Sequence, residues 1–285
     1  MFGFLNINKP SGMSSHKVIS VLRKITGIKQ IGHAGTLDPL ASGVLPIAIG
    51  KASKLIDYMP EDKAYSVSML FGKISDTFDL EGKVEEFSHK KVTIEEIEKA
   101  LISFRGQIEQ IPPAFSAVHY NGKRLYELAR EGKIPDDIPK RLITVYKNEI
   151  ISFDYEKQIL KLDIECSKGT YIRSIVHDLG QFLNVGAVMS ELIRTKSSGL
   201  VLKSSLDLDE TLNKELIKSN LINPKLVLNL PVVEVTDEEF EKIKNGNRYN
   251  KLLDFEGDIL LEKNGRIIAI AVSYFDYIQP KKVLL

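Results

Sequence analysis

The sequence predicts an α+β protein with a mixed sheet. Three observations carry this prediction. Leu160, Leu162, Ile164 and Cys166 alternate with polar residues, the period of a half-buried strand. Thr93-x-x-Glu96 and Thr236-x-x-Glu239 are capping boxes that open helices. Strands and helices intersperse without the regular βαβ rhythm of a doubly wound parallel sheet.

Along the chain, Asn8-Lys9-Pro10-Ser11-Gly12 is a turn, because Pro and Gly both interrupt regular structure. Ser14 or Ser15 then caps a helix whose apolar positions are Val18, Val21, Leu22 and Ile25. Residues 31–50 hold four Gly and two Pro, which predicts a loop followed by a short apolar strand. A strand is predicted at 65–71. The spacing predicts a helix over 93–105, with Ile94, Ile97, Leu101 and Phe104 on one face and Gly106 as its stop. After the strand at 160–166, Ser167-Lys168-Gly169-Thr170 leads into helical spacing at Ile172, Ile175, Leu179 and Leu183. Asn229-Leu230-Pro231 marks a boundary, giving expected domains at 1–230 and 232–285. The tail holds the second capped helix, stopped at Asn245-Gly246, and a hairpin turning at Asn264-Gly265. It reads as a small α/β or mostly β module.

Composition narrows the class. The 285 residues are 43% hydrophobic and 27% charged, enough to bury a core, which excludes a disordered or collagen-like chain. Cys166 is the single thiol, so no internal disulfide forms and a reducing compartment fits. No apolar run approaches the roughly 20 residues of a membrane helix. The opening MFGFLNINKPSG lacks the basic-then-apolar layout of a secretory signal. The expectation is a soluble cytoplasmic protein. The net charge of +1 conceals an asymmetry: residues 1–60 carry seven Lys or Arg against two Asp or Glu, and 61–120 carry seven against eleven. A basic N-terminal face suits a phosphate-bearing partner, and equally an ordinary solvated face.

Several chemistries are excluded by residue type. One Cys and five scattered His offer no zinc-ligand spacing, which removes a zinc-dependent nucleobase deaminase. GVLPIAIGK (43–51) misses a phosphate loop, because six residues separate its glycines and Ala52 follows the Lys. No GxGxxG follows a strand, and GxSxG is absent. What remains is Gly32-His33-Ala34-Gly35-Thr36-Leu37-Asp38-Pro39. Pro39 holds Asp38 out of helical geometry, and the flanking glycines admit close backbone approach. A carboxylate so placed serves as a nucleophile or base; as an isolated Asp-Pro it serves equally as an Asx turn.

Here more than the turn matches. GHAGTLDPLASGVLPIAIGKASK resembles the signature loop of the TruB-type tRNA pseudouridine synthases. So do the opening NKPSGMSSHKV, the block IPPAFSAVHYNGKRLYELAREG (111–132) and the block CSKGTYIRSIVHDLG (166–180), in the family's order and rough spacing. The resemblance implies a pseudouridine synthase fold, with a mixed, largely antiparallel sheet flanked by helices and loops and a small PUA-like C-terminal domain. It implies isomerisation of the T-loop uridine of tRNA, position 55, without cofactor or metal. It makes Asp38 the nucleophile or the base that removes the ribose C2′ proton. Tyr65 is then the tyrosine that stacks on the target base, and Arg173 the arginine that pairs with the aspartate. Tyr171 and Leu192 line the uracil pocket, although Glu191 and Ile193 flank Leu192 where the family usually has other types. His33 helps hold flipped T-loop nucleotides. Lys9, Lys54, Lys123, Arg124 and Arg130 meet phosphates. The implied partner is the tRNA T-arm and elbow, with a monomer and no obligate protein partner.

Two alternatives stand beside this reading. One is a synthase with a different RNA target. Guide-RNA-dependent relatives share TLDP but carry longer extensions, whereas this chain reaches NKPSG almost at once. Large-rRNA synthases place Arg where Thr36 stands. The other is a non-catalytic tRNA-binding or RNA-chaperone protein, against which the joint presence of Asp38, Tyr65 and Arg173 argues.

Overall fold

The computed structural model describes residues Met1–Leu285. In chain order its elements begin with β1 (Gly3–Lys9), α1 (Ser15–Thr26), β2 (Ile31–His33), β3 (Ser42–Ile49), a 3-10 helix (Gly50–Tyr58) and β4 (Lys63–Phe71). There follow β5 (Lys73–Ser75), β6 (Val84–Glu86), α2 (Ile94–Ile102), β7 (Gly106–Gln110), β8 (His119–Tyr120), β9 (Lys123–Arg124) and α3 (Leu125–Arg130). Next are β10 (Arg141–Asp154), β11 (Ile159–Cys166), α4 (Ile172–Phe182), β12 (Ala187–Ser197), β13 (Leu200–Val201) and β14 (Leu206–Asp207). The chain closes with α5 (Lys214–Ser219), α6 (Pro224–Leu228), β15 (Val232–Glu234), α7 (Asp237–Lys244), β16 (Tyr249–Asn250), β17 (Glu256–Lys263), β18 (Arg266–Tyr274) and β19 (Tyr277–Val283).

Local chemistry sets the helix ends. Ser14 caps α1 by accepting from the Lys17 amide, and Gly27, at φ +75°, closes it with Arg23 and Lys24 in the last turn. Both capping boxes form, at Thr93/Glu96 and Thr236/Glu239. The helix expected over 93–105 stops at Ile102, and Ser103, Phe104 and Arg105 each bond to the residue three back. That tightening keeps Phe104 buried ahead of Gly106. The buried face of α1 is Val18, Ile19, Leu22 and Thr26; Val21 and Ile25 flank it, half-buried. Residues 31–33 form β2 where a loop was expected, because they find a partner in Ile47–Ile49. Within 116–140 lie the β8–β9 hairpin and α3.

The chain divides into two compact units. The first holds Met1–Asp38, Val44–Pro60 and Ser198–Leu285. There β1 lies between β14 and β3, and the face of α1 packs on Leu5, Ile7, Leu45, Ile47 and Ile49. A five-stranded sheet, in the order β15-β17-β18-β19-β16, begins at Val232. Its α7 side is filled by Val235, Ile243, Ile259 and Ile278. From the same sheet Leu260, Ile270 and Leu284 join Phe4, Ala52 and Leu55 in a separate core.

The second unit holds Pro39–Gly43 and Glu61–Ser197. Its strands run β12-β4-β11-β10-β7, antiparallel throughout, and residues Ser42 and Gly43 pair in parallel with Ile193 and Arg194. Tyr65, Val67 and Met69 of β4 and Leu160, Leu162 and Ile164 of β11 turn to the buried face. Ile172, Ile175, Val176 and Leu179 of α4 are buried with them. This is the mixed, largely antiparallel α+β architecture expected.

Candidate active site

Asp38 sits in the connection between β2 and β3, and its neighbours hold it by backbone bonds. His33 pairs with Ile47, and the Ala34 amide donates to Pro46 O at 2.9 Å. Leu37 is buried against the first residue of α1: its amide donates to Ser15 Oγ at 2.8 Å, and Ser15 Oγ donates to Leu37 O at 3.0 Å. Asp38 is thus half-buried directly after a residue fixed at both polar groups, and the Pro39 ring disfavours helical geometry at it.

Lys9 corrects the sequence expectation. It is fully buried, and its ammonium donates to the carbonyls of Pro10 and Met13, so it holds the turn after β1 from inside. Lys54 stays exposed, donating to Val283 O at 2.9 Å.

In the second unit one sheet face gathers the pocket candidates. Tyr65 lies opposite Arg194 and Ile164, and Leu192 lies opposite Val67, so Tyr65, Leu192 and Arg194 share a side. All three are buried. Tyr171 is the N-cap of α4, in extended backbone, with no cap from its own side chain. The Gln110 side chain instead holds the backbone of Tyr171 itself: it accepts from the Tyr171 amide at 2.8 Å and donates to the Tyr171 carbonyl at 3.0 Å.

Arg173, in the first turn of α4, is 6% exposed and held on several sides. Nη1 donates to Thr77 O at 3.1 Å, Nη2 donates to Phe115 O at 3.0 Å, and Asp79 Oδ2 lies 3.6 Å from Nη1. Asp79, 2% exposed, is fixed in turn: its Oδ1 accepts from Thr77 Oγ1 at 2.6 Å and from the Glu81 amide at 3.0 Å. Phe78, between Thr77 and Asp79, has φ +65° and stacks on His177 with centroids 3.9 Å apart. A guanidinium so anchored presents a fixed charge with little entropy left to lose. Sequence reasoning missed Asp79, Gln110 and Ser15. Asp79 left a faint signal, two Asp in the short Gly-ended turn 76–82; Ser15 was read only as an alternative helix cap within NKPSGMSSHKV, and Gln110 left none.

Burial sets the remaining titrations. It lowers the His177 imidazole from its ordinary value, pushes Asp178 up to about 6, and pushes the Cys166 thiol up to about 11, where it is inert. Lys123 and Arg124 project from the β8–β9 hairpin, Lys123 paired with Glu131 at 3.1 Å, and Arg130 lies over the Tyr126 ring. No group of three His, Cys, Asp or Glu side chains is arranged to hold a metal ion, and no helix is long and apolar enough to cross a membrane.

Comparison with known proteins places these features. Residues 23–172 match the family model described as TruB family pseudouridylate synthase, N-terminal domain. A tRNA pseudouridine synthase B of Lactobacillus johnsonii is 42% identical over 294 residues, spanning 99% of this chain and 98% of that protein. One of Gloeothece citriformis is 47% identical over 232 residues, 80% of this chain and 75% of that protein. Among solved structures, a Cbf5-Nop10-Gar1 complex superposes with a TM-score of 0.72 at 24% identity, covering 100% of this chain and 85% of the other. At that identity the likeness speaks for the fold. The matched stretch takes in the Asp38 loop, Tyr65 and Tyr171, and over half of the chain answers to one enzymatic family: the protein belongs to the TruB family of pseudouridylate synthases.

Proposed function

We propose that this protein converts the T-loop uridine of tRNA, position 55, to pseudouridine. The N1–C1′ bond breaks, the uracil turns, and C5 joins C1′. The C5 hydrogen leaves as a proton and N1 gains one, so the reaction balances without an oxidant or cofactor. Asp38 acts as the nucleophile at C1′ or as the base at C2′. The observation that carries the reading is the placement of Asp38 directly after the doubly bonded Leu37, in a chain of this family. A reacting carboxylate gains most from such pre-set geometry.

The curated relatives named as tRNA pseudouridine synthases support tRNA as the substrate. A uracil inside a stack hides C1′, so the nucleotide must be extruded. In this reading Tyr65 stacks on the flipped base, and Tyr171 and Leu192 wall its pocket. Arg173 supplies a fixed positive charge, and His33 steadies the neighbouring T-loop nucleotides. Lys54, Lys123, Arg124 and Arg130 meet phosphates of the T-arm and elbow, an interaction that weakens with salt. We further propose residues 1–230 as the catalytic domain and 232–285 as a small PUA-like domain. The protein works as a cytoplasmic monomer without an obligate protein partner.

The test is tritium release from C5-labelled uridine in a tRNA transcript. About one tritium per tRNA is expected from the wild type. None is expected from Asp38→Asn, or from a transcript with cytidine at the T-loop position. Release that survives the cytidine replacement overturns the substrate. Activity retained in Asp38→Asn overturns the role of the aspartate. Binding without release from any RNA leaves a tRNA-binding protein.

A further inference from the structure

Gln110 is the last residue of β7, pairs with Arg141 of β10, and is 2% exposed. Its amide exchanges two bonds with the backbone of Tyr171, at 2.8 and 3.0 Å. A side chain here does what a neighbouring strand does in an antiparallel pair. The orientation of the amide is forced, because only its oxygen accepts from the Tyr171 N–H and only its nitrogen donates to the Tyr171 C=O.

The segment after Gln110 repeats the attachment. Ser174 Oγ donates to Ile111 O at 2.8 Å, and Arg173 Nη2 donates to Phe115 O at 3.0 Å. Pro112 and Pro113, both buried, stiffen the chain between these points. Residues 110–115 therefore form a strap across the first turn of α4, bonded to 171, 173 and 174. The strap continues into the basic element: Ser116 O accepts from the Tyr126 amide and Val118 O from the Leu125 amide. Lys123, Arg124 and Arg130 ride on that element.

We infer that Gln110 is a positioning residue, which fixes Tyr171 and the first turn of α4 and so sets the Arg173 guanidinium for the reaction. The inference rests on the proposed pseudouridine synthesis and adds a residue to it. Gln110 acts through Tyr171 and touches no reacting atom.

Gln110→Met and Gln110→Glu separate positioning from bulk structure. Met keeps the volume and loses both bonds. Glu keeps one acceptor for the Tyr171 amide and sets its second oxygen against the Tyr171 carbonyl. Ionised, that oxygen is an acceptor facing an acceptor; protonated, it donates and restores both bonds. Burial raises the pKa of such a carboxyl, bringing the switch toward the assay range. Of the charged groups on the flanking elements, the Arg141 and Arg173 guanidinium groups are the same in all variants. Glu109 pairs with Lys140, Asp178 titrates on α4, and both are common to all variants and divide out.

Steady-state tritium release is measured from pH 5.5 to 8.5 for wild type and both variants, with amide exchange at Tyr171 alongside. For Gln110→Met, kcat is expected to fall about 10- to 100-fold with KM for tRNA within about twofold. Gln110→Glu should match it at high pH and recover several-fold against wild type as pH falls. Exchange at Tyr171 should speed up in Gln110→Met, which leaves that amide without its acceptor, and much less in Gln110→Glu, which keeps it. Wild-type kcat in Gln110→Met, a loss confined to KM, or a flat Gln110→Glu ratio overturns the inference. Failure of both variants to fold at any pH also overturns it, by assigning Gln110 to stability alone. The wild-type rate is the separate control: no product from wild type sinks the proposed function, whereas an unaffected variant sinks only Gln110.

Discussion

The hydroxyl of Ser15 and the backbone of Leu37 bond to each other in both directions, at 2.8 and 3.0 Å, across 22 residues of sequence. One hydroxyl thereby satisfies the amide and the carbonyl of the residue before Asp38. Removing it strands two buried polar groups, each worth about 1–3 kcal/mol. Ser15→Ala is expected to lower the melting temperature by several degrees and kcat at least tenfold, with KM nearly unchanged. Thermal unfolding and steady-state tritium release measure the two effects.

Asp79 is the charge partner of Arg173 inside the second unit, and both are nearly fully buried. Removing Asp79 takes away this ion pair together with the acceptor of Thr77 Oγ1 and of the Glu81 amide, at a cost of about 3–5 kcal/mol. Asp79→Ala should be strongly destabilised in denaturant unfolding. Arg173→Lys should fold better yet lose about 100-fold or more in kcat, because an ammonium cannot serve Thr77 O, Phe115 O and Asp79 in one planar fork. Equal activity of Arg173→Lys and wild type would count against the fixed-guanidinium role.

Gly43 follows Asp38 by five residues, has φ +100°, and pairs in parallel with Arg194. A Cβ there would overlap the Arg194 carbonyl oxygen and lie 2.9 Å from its amide nitrogen. Gly43→Ala must therefore open the β3–β12 junction or distort a positive-φ backbone. The expected result is a destabilisation of about 2 kcal/mol or more, with lowered kcat, read by urea unfolding and single-turnover rates.

Asp178 gives a pH dependence of stability. Its carboxyl is raised by burial to about 6, above its unfolded value. The folded state thus favours the protonated form; that stability is full at low pH and is lost as pH rises through about 6. Asp178→Asn removes the loss. It should leave stability at pH 4 unchanged and raise it at pH 8 by roughly 1–2 kcal/mol, after screening by solvent. Equal melting shifts at both pH values would contradict the assignment.

Much of the fold was legible because its signals are local. The Thr93/Glu96 and Thr236/Glu239 boxes, the alternation of β11 and the Asn264-Gly265 turn each depend on residues within a few positions. Where the reading fell short, a distant partner intervened. Residues 31–33 became a strand because Ile47–Ile49 offered an edge, and the α1 stripe rotated onto Ile19 because β1 and β3 set its contact face. Lys9 reads as a surface cation by type, yet the turn after β1 folds its own carbonyls over the ammonium.

The sequence by itself determined the α+β class, the helix caps, the strand periods and the Asp38 loop with its family motif, since each is written in neighbouring residues. Only the tertiary structure decided which polar groups secure that machinery. Gln110 reaches Tyr171 across 61 residues, and Arg173 reaches Thr77 across 96. A buried hydrogen bond at such separation leaves no periodicity in either segment. It exists because packed elements exclude water and leave two unsatisfied groups within reach of each other.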